Sequence, residues 1–160
     1  MRKIIAVSVL LAVAACGGPL GPLAGGRLSG RPVAEPVSDW TFVKSYELME
    51  IETRPDAPYS VKVHYYLIDG RLYVEAGENS WSRWRPYLHA DPNVRVRFGD
   101  GVYPARAVRV TDPAEIARVL PRYYEKDRDE AGPACRREWT VEACGFEGAL
   151  YRLESTAPPG

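Results

Sequence analysis

Residues 81–112 read WSRWRPYLHADPNVRVRFGDGVYPARAVRVTD, and the reading of this stretch decides the fold. Trp81, Trp84 and Leu88 recur at helical spacing, which predicts a short helix over 81–88 with one buried face. Pro86 holds it to a turn or two. Asp91-Pro92-Asn93 is loop chemistry. Asn93 to Phe98 then alternates, with Val94, Val96 and Phe98 on one face and Arg95 and Arg97 on the other, the pattern of a half-buried strand. Gly99-Asp100-Gly101 turns the chain into a second strand over Val102 to Val110. At Asp112-Pro113-Ala114-Glu115 a helix opens, with Asp as cap, Pro at the first position and Glu at the third. Ile116, Val119, Leu120, Tyr123 and Tyr124 give that helix an apolar face, and Pro121 is expected to kink it or end its first half.

Upstream, Tyr59 to Ile68 (YSVKVHYYLI) predicts a strand with Val61, Val63, Tyr65 and Leu67 on one face. Asp69-Gly70 is a two-residue hairpin signal, because both positions tolerate positive φ, and Arg71 to Ala76 is the returning partner. Trp40 to Thr53 is read as a further strand, although Glu47 to Glu50 could equally begin a helix. Arg54-Pro55-Asp56-Ala57-Pro58 breaks it. Downstream, Trp139 to Ala143 and Ala149 to Leu153 are read as two last short strands. Strands joined by hairpins plus one longer and one short helix indicate an α+β domain, mainly antiparallel, as a small barrel or curled sheet.

The N-terminus carries different information. Arg2 and Lys3 precede an apolar and small-residue run from Ile4 to Val13. It is shorter than the roughly 20 residues a membrane-spanning helix needs but has the length of a secretory signal. Val13-Ala14-Ala15-Cys16 looks like a bacterial lipobox, in which the Cys16 thiol accepts diacylglycerol; an ordinary signal cleaved after Ala15 is the alternative. The expected organisation is a signal peptide over 1–15, a flexible Gly/Pro-rich tether over 16–37, a domain over 38–155 and a disordered tail over 156–160. Such a protein is exported and lipid-anchored to the bacterial cell envelope. Gly17 after the cysteine favours the outer membrane over the inner in a Gram-negative cell.

The 160-residue chain balances 21 basic against 21 acidic residues, so no global field draws it to nucleic acid. Losing Arg2 and Lys3 leaves 19 basic against 21 acidic, or −2. Cys135 and Cys144 then lie outside the cytoplasm, where one disulfide is the simplest reading. A redox-active pair lacks CxxC spacing, and no zinc-ligand spacing brings either histidine to them.

DGRLYVEAG (Asp69 to Gly77), Trp84, LHADPNVRV (Leu88 to Val96) and VYPARAVRVTDPAE (Val102 to Glu115) together resemble the flavin- and deazaflavin-binding split β-barrel proteins, in particular the deazaflavin-dependent nitroreductase branch. The resemblance spans roughly Ile51 to Lys126. It implies a six-stranded split β-barrel, often a homodimer, holding the planar ring of FMN or a deazaflavin at the subunit interface. The positions that match the family's phosphate side are Thr53 and Arg54 at the end of one strand, Ser60 and Lys62 on the next, and Arg83 and Trp84 at the short helix. Two departures stand out. Arg54 to Pro58 replaces a Gly-Arg-x-Ser-Gly loop, and a Gly-Gly-x-x-x-x-Pro-x-Trp stretch is reduced to Gly77-Glu78-Asn79-Ser80.

Each chemical reading has a structural alternative. Arg54, Lys62, Arg83 and Arg85 could gather an anion, or they could be solvated faces balanced by Glu52, Glu75 and Glu78. Trp81, Trp84 and Tyr87 could stack on a ring, or fill a core. His64 and His89 have no Ser or Cys nucleophile beside them in a recognisable elbow, which leaves hydrolase chemistry unsupported. The functional readings are therefore an envelope protein whose barrel has a binding or scaffold role, a flavin- or deazaflavin-dependent oxidoreductase, or an interaction module of unrelated fold.

Overall fold

A computed structural model describes residues 17–76, 83–127, 133–138, 140, 142–144 and 149–158. In chain order the strands are β1 (Arg31–Pro32), β2 (Met49–Thr53), β3 (Tyr59–Val63), β4 (Tyr66–Ile68), β5 (Arg71–Glu75), β6 (Asn93–Phe98), β7 (Gly101–Arg109) and β8 (Leu150–Ser155). The helices are α1 (Trp84–Ala90), α2 (Pro113–Asp127) and α3 (Pro133–Glu138), with a 3-10 turn over Thr41–Ser45.

The sheet runs β3-β2-β6-β7-β8-β5-β4, and β1 pairs with the end of β7. Every pairing is antiparallel except that of β1 with β7. The two outer strands of this order, β3 and β4, follow one another in sequence with only His64 and Tyr65 between them. The chain itself therefore joins the two edges, and the sheet curls into a barrel. With β3 and β4 taken as one run and the two-residue β1 set aside, the barrel has the expected six strands. Tyr65 is buried at the seam, its hydroxyl 2.6 Å from the carbonyl oxygens of both Val43 and Tyr46. Burial pushes its pKa up, so it stays a donor and fixes the 3-10 turn to the barrel.

Alternation decides which face is inside. Val94, Val96 and Phe98 on β6 are buried with Met49 and Ile51 on β2, Leu72 and Val74 on β5, and Trp84 and Leu88 on α1. Each such side chain contributes roughly 1.5–3 kcal/mol, so a one-residue slip of β6, which would turn all three outward, is strongly disfavoured. A second cluster on the outside of the barrel packs Tyr66, Tyr73 and Leu150 under Ile116 and Val119 of α2. Several sequence signals are realised as read. Asp69 and Gly70 have φ of 49° and 72°, the Asp112 carboxylate accepts from the Ala114 amide at 3.0 Å, and Cys135 is bonded to Cys144.

Other expectations change. Residues 41–48 do not extend the strand; Asp39 accepts from the Thr41 amide at 2.7 Å and starts the 3-10 turn instead. The long strand expected over 59–68 breaks at the barrel seam. The helix α2 runs through Pro121 without interruption. Glu142, Ala143 and Cys144 form a turn rather than a strand, closed by the Cys144 amide on the Thr140 carbonyl at 3.0 Å. Cys16, Trp81 and the 77–80 segment lie outside the described residues.

The largest difference concerns the expected tether. From Gly17 to Val33 the chain forms a strap laid over the outside of β2, β3 and β6. Gly25 exchanges two backbone hydrogen bonds with Ser60, at 2.8 and 2.9 Å. Leu28 is buried, and β1 closes the strap onto β7. Its glycines permit close approach rather than flexibility. A Cβ on Gly25 would lie 2.3 Å from the Gly18 backbone, a spacing only glycine allows.

Candidate functional site

The outer faces of β2 and β6 carry two rungs of opposite charge. Glu50 stands across from Arg97 and Glu52 across from Arg95 in the ladder, the geometry in which cross-strand ion pairs form. Arg95 donates to both Glu52 carboxylate oxygens, at 3.0 and 2.5 Å. Arg97 forms an ion pair with Glu50, and Lys62 approaches the same carboxylate at 3.8 Å. The strap completes both rungs. The Leu28 amide donates to Glu52 at 2.6 Å while its carbonyl accepts from Arg95 at 3.1 Å, and the Ser29 carbonyl accepts from Arg97 at 2.8 Å. Glu52 is thereby held as a buried carboxylate, 2% exposed, with its charge and lone pairs matched.

The residues to which the resemblance assigned a phosphate lie on or beside β2, β3 and α1. Thr53, Arg54 and Ser60 lie at the turn end of the β2–β3 hairpin, against which α1 packs. Lys62 does not join them; it stands across from Glu50 and pairs with it. Arg83 is exposed at the start of α1. Of the residues at the turn, each polar group has an internal partner. Thr53 Oγ1 donates to the Tyr59 carbonyl at 3.2 Å. Ser60 is fully buried, and its Oγ donates to the Gly26 carbonyl at 2.7 Å. Arg54, in the left-handed region with φ of 55°, donates to the Ala57 carbonyl at 3.0 Å. Its guanidinium lies 4.3 Å from the centre of the Tyr87 ring, a cation–π contact. Trp84 is buried in the core.

These residues do not fit the phosphate of FMN or of a deazaflavin. The hydroxyl donors are spent on backbone carbonyls, and the strap occupies the space over Ser60. The aromatic groups divide as well. Trp84 fills the core, and Tyr87 is taken by Arg54 and by Tyr59, whose ring centre is 5.4 Å away.

Sequence reading missed a second polar centre. Tyr73 donates its hydroxyl to Glu115 at 2.8 Å, and Arg152 donates to the same Glu115 oxygen at 2.5 Å and to Glu154 at 2.8 Å. Burial pushes the Glu115 carboxyl up, but the hydrogen bonds from Arg152 and Tyr73 and the charges of Arg152 and Arg71 outweigh it, so its pKa falls below the ordinary carboxylate value. Burial, then Glu115, raises the Tyr73 pKa and keeps it protonated. Arg152 also lines an open cleft of about 310 Å³ with Ser38, Trp40, Arg71 and Ser155. A capping-box glutamate is the obvious reading of Glu115; nothing local announces partners on β5 and β8.

His64 lines a separate cleft with Lys44, Tyr46 and Glu47, and His89, in the last turn of α1, has Nε2 3.1 Å from the Tyr151 hydroxyl. Among the described residues, no group of three or more His, Cys, Asp or Glu could hold a metal ion, and no helix is long and apolar enough to cross a membrane.

No family model matches the sequence, and no curated protein matches it. Solved structures do. A conserved hypothetical protein from Mycobacterium tuberculosis aligns over 81% of this chain and 86% of its own, with a TM-score of 0.53 and 20% identity. A protein designated a pyridoxamine 5'-phosphate oxidase from Listeria innocua aligns over 73% of this chain and 88% of its own at 13% identity, with a TM-score of 0.48. An FAD-binding protein from Mesorhizobium loti covers 73% of this chain and 83% of its own at 16% identity, with a TM-score of 0.39. At such identities the likeness is one of fold, and the chain has the mainly antiparallel α+β architecture of a split barrel.

Proposed function

We propose that this chain is a lipid-anchored cell-envelope protein whose split barrel has a binding or scaffold role, with no flavin or deazaflavin in the cradle at β2 and β3. One observation carries the reading of the barrel. The donors that would hold a cofactor phosphate are bonded to the protein's own backbone, Ser60 Oγ to the Gly26 carbonyl of the N-terminal strap at 2.7 Å and Thr53 Oγ1 to the Tyr59 carbonyl at 3.2 Å. The envelope location rests on Arg2-Lys3, the Ile4 to Val13 run and Val13-Ala14-Ala15-Cys16. A homodimer belongs to the proposal through the resemblance, and sedimentation would test it.

The second reading is a flavin- or deazaflavin-dependent reductase acting in the envelope. It is favoured by the cleft in which Arg71 and Arg152 stand beside Trp40, a pair of guanidiniums suited to an anion. Its weakness is that Arg152 is already matched by Glu115 and Glu154.

The test uses the exported chain with its disulfide formed. Its absorbance spectrum is recorded as purified, and FMN and a deazaflavin are then titrated in while fluorescence is followed. The proposal expects a colourless protein and no saturable change into the hundreds of micromolar. Saturable micromolar binding weakened by Arg54→Ala or Arg83→Ala would return the cofactor to the cradle and overturn the proposal. Binding weakened by Arg71→Ala would place it in the cleft and favour the reductase.

A further inference from the structure

We propose that the turn from Leu20 to Leu23 is a membrane-contacting tip that seats the barrel in one fixed orientation on the bilayer carrying its anchor. The inference rests on the lipid-anchor reading of Cys16 and adds to it a surface, a partner and a geometry.

Leu20 and Leu23 are paired across a two-residue turn by reciprocal backbone hydrogen bonds of 3.1 and 3.0 Å. Gly21 takes the first corner with φ of 57°, a conformation glycine adopts without strain, and Pro22 stiffens the second. The pairing sets the two leucine side chains close together. They are 66% and 68% exposed, more than Phe42, Tyr46 or Leu48, the other exposed large apolar groups among the described residues. The two leucines thus form an exposed apolar tip on a turn held by its own backbone bonds.

The strap says where that tip lies. The Gly26 amide donates to the Gly17 carbonyl at 2.7 Å, and Gly25 and Leu28 are bonded to Ser60 and to the Glu52–Arg95 pair. Gly17, next in sequence to Cys16, is thus tied to the barrel wall with no slack residues in between. Acyl chains on Cys16 would hold this edge of the barrel at the lipid surface. Leu20 and Leu23 follow Cys16 by four and seven residues, and an apolar face at the headgroup boundary enters it by roughly 5–10 Å. From Gly17 to Gly30 there is no acidic residue, and Arg27 is the single charge, so anionic headgroups are not repelled. Two side chains are far too little surface for a stable protein partner, which needs about 800 Å² on each side; they are enough to orient a domain already held by lipid.

The test places a bimane label at Ala24→Cys, beside the tip, and at Arg118→Cys on α2, which packs against the opposite wall of the barrel. Cys16 is acylated and Cys135–Cys144 is bonded, so each new thiol is unique. The full-length lipoprotein is reconstituted in phosphatidylethanolamine–phosphatidylglycerol vesicles with brominated acyl chains, which quench a label on contact. The proposal expects severalfold quenching at 24 and none at 118. It also expects the quenching to disappear in Leu20→Ser/Leu23→Ser, whose unfolding midpoint stays unchanged because both side chains are exposed. Equal, weak quenching at 24 and 118 in protein that floats with the vesicles overturns the tip while leaving the anchor intact. Protein that does not float and carries no acyl mass on Cys16 defeats the anchor reading instead. Vesicles are then added to that soluble chain, where quenching at 24 sustains the tip and its absence overturns it.

Discussion

Replacing Arg95 by Ala tests how the strap is held. The substitution removes three hydrogen bonds, two to Glu52 and one to the Leu28 carbonyl. What remains is a carboxylate 2% exposed with the Leu28 amide as its partner. Breaking a buried pair in this one-sided way costs about 3–5 kcal/mol. Arg95 is itself 31% exposed, and water reaching the vacated space should bring the loss down to about 2–3 kcal/mol. That corresponds to a fall in Tm of roughly 10 °C for a domain of this size. Urea unfolding at neutral pH measures the loss, and amide exchange at Leu28 and Gly25 reports whether the strap lifts with it. Glu52→Gln/Arg95→Met, which removes both charges, should be milder than Arg95→Ala alone. A loss below about 0.5 kcal/mol for Arg95→Ala, or a double variant less stable than the single, would refute the reasoning.

The same logic makes further predictions. Glu115 has a lowered pKa in the fold, so its contribution is present above the ordinary carboxylate range and is lost as pH falls from about 4.5 through the folded value. Glu115→Gln should therefore be less stable than the parent at neutral pH, with the gap closing in acid, as urea midpoints across pH will show. Tyr73→Phe should cost about 1 kcal/mol by removing the hydroxyl bonded to Glu115. Reducing Cys135–Cys144, a bridge across nine residues, should cost about 2–3 kcal/mol on a chain-entropy estimate, read as a lower thermal midpoint in reductant. Gly25→Val should displace the strap, because its side chain would enter the space held by the Gly17 and Gly18 backbone; faster proteolysis at Arg27 would report it.

The barrel was legible where contacts are local or periodic. Val94, Val96 and Phe98 announced an inward face by alternation alone, Asp69-Gly70 announced its turn by the φ it tolerates, and Asp112 announced a helix start. The break at His64 and Tyr65 was not legible, because it comes from closing the sheet and both sides of it look like strand. The strap was missed for a related reason. Leu28 finds Glu52 and Arg95 across 24 and 67 positions of sequence, and a segment bonded through such partners shows no period. The glycine pairs Gly17-Gly18 and Gly25-Gly26 were the available signal, but tight backbone approach and a loose linker share that composition. Of the candidate residues, Thr53, Arg54 and Ser60 lie at the turn of the β2–β3 hairpin, Trp84 is in the core, and Lys62 pairs with Glu50. What the sequence could not show was that the hydroxyls of Thr53 and Ser60 were already committed to carbonyls.

Whether the strap belongs to the barrel can be measured without any ligand. Native-state hydrogen exchange on the purified protein should find the Gly25, Gly26 and Leu28 amides as protected as those of β2 and β6, exchanging with the barrel as one unit. Exchange of these three amides at the rate of an open linker, with β2 and β6 still protected, would contradict the account and leave the cradle at Ser60 free for a ligand.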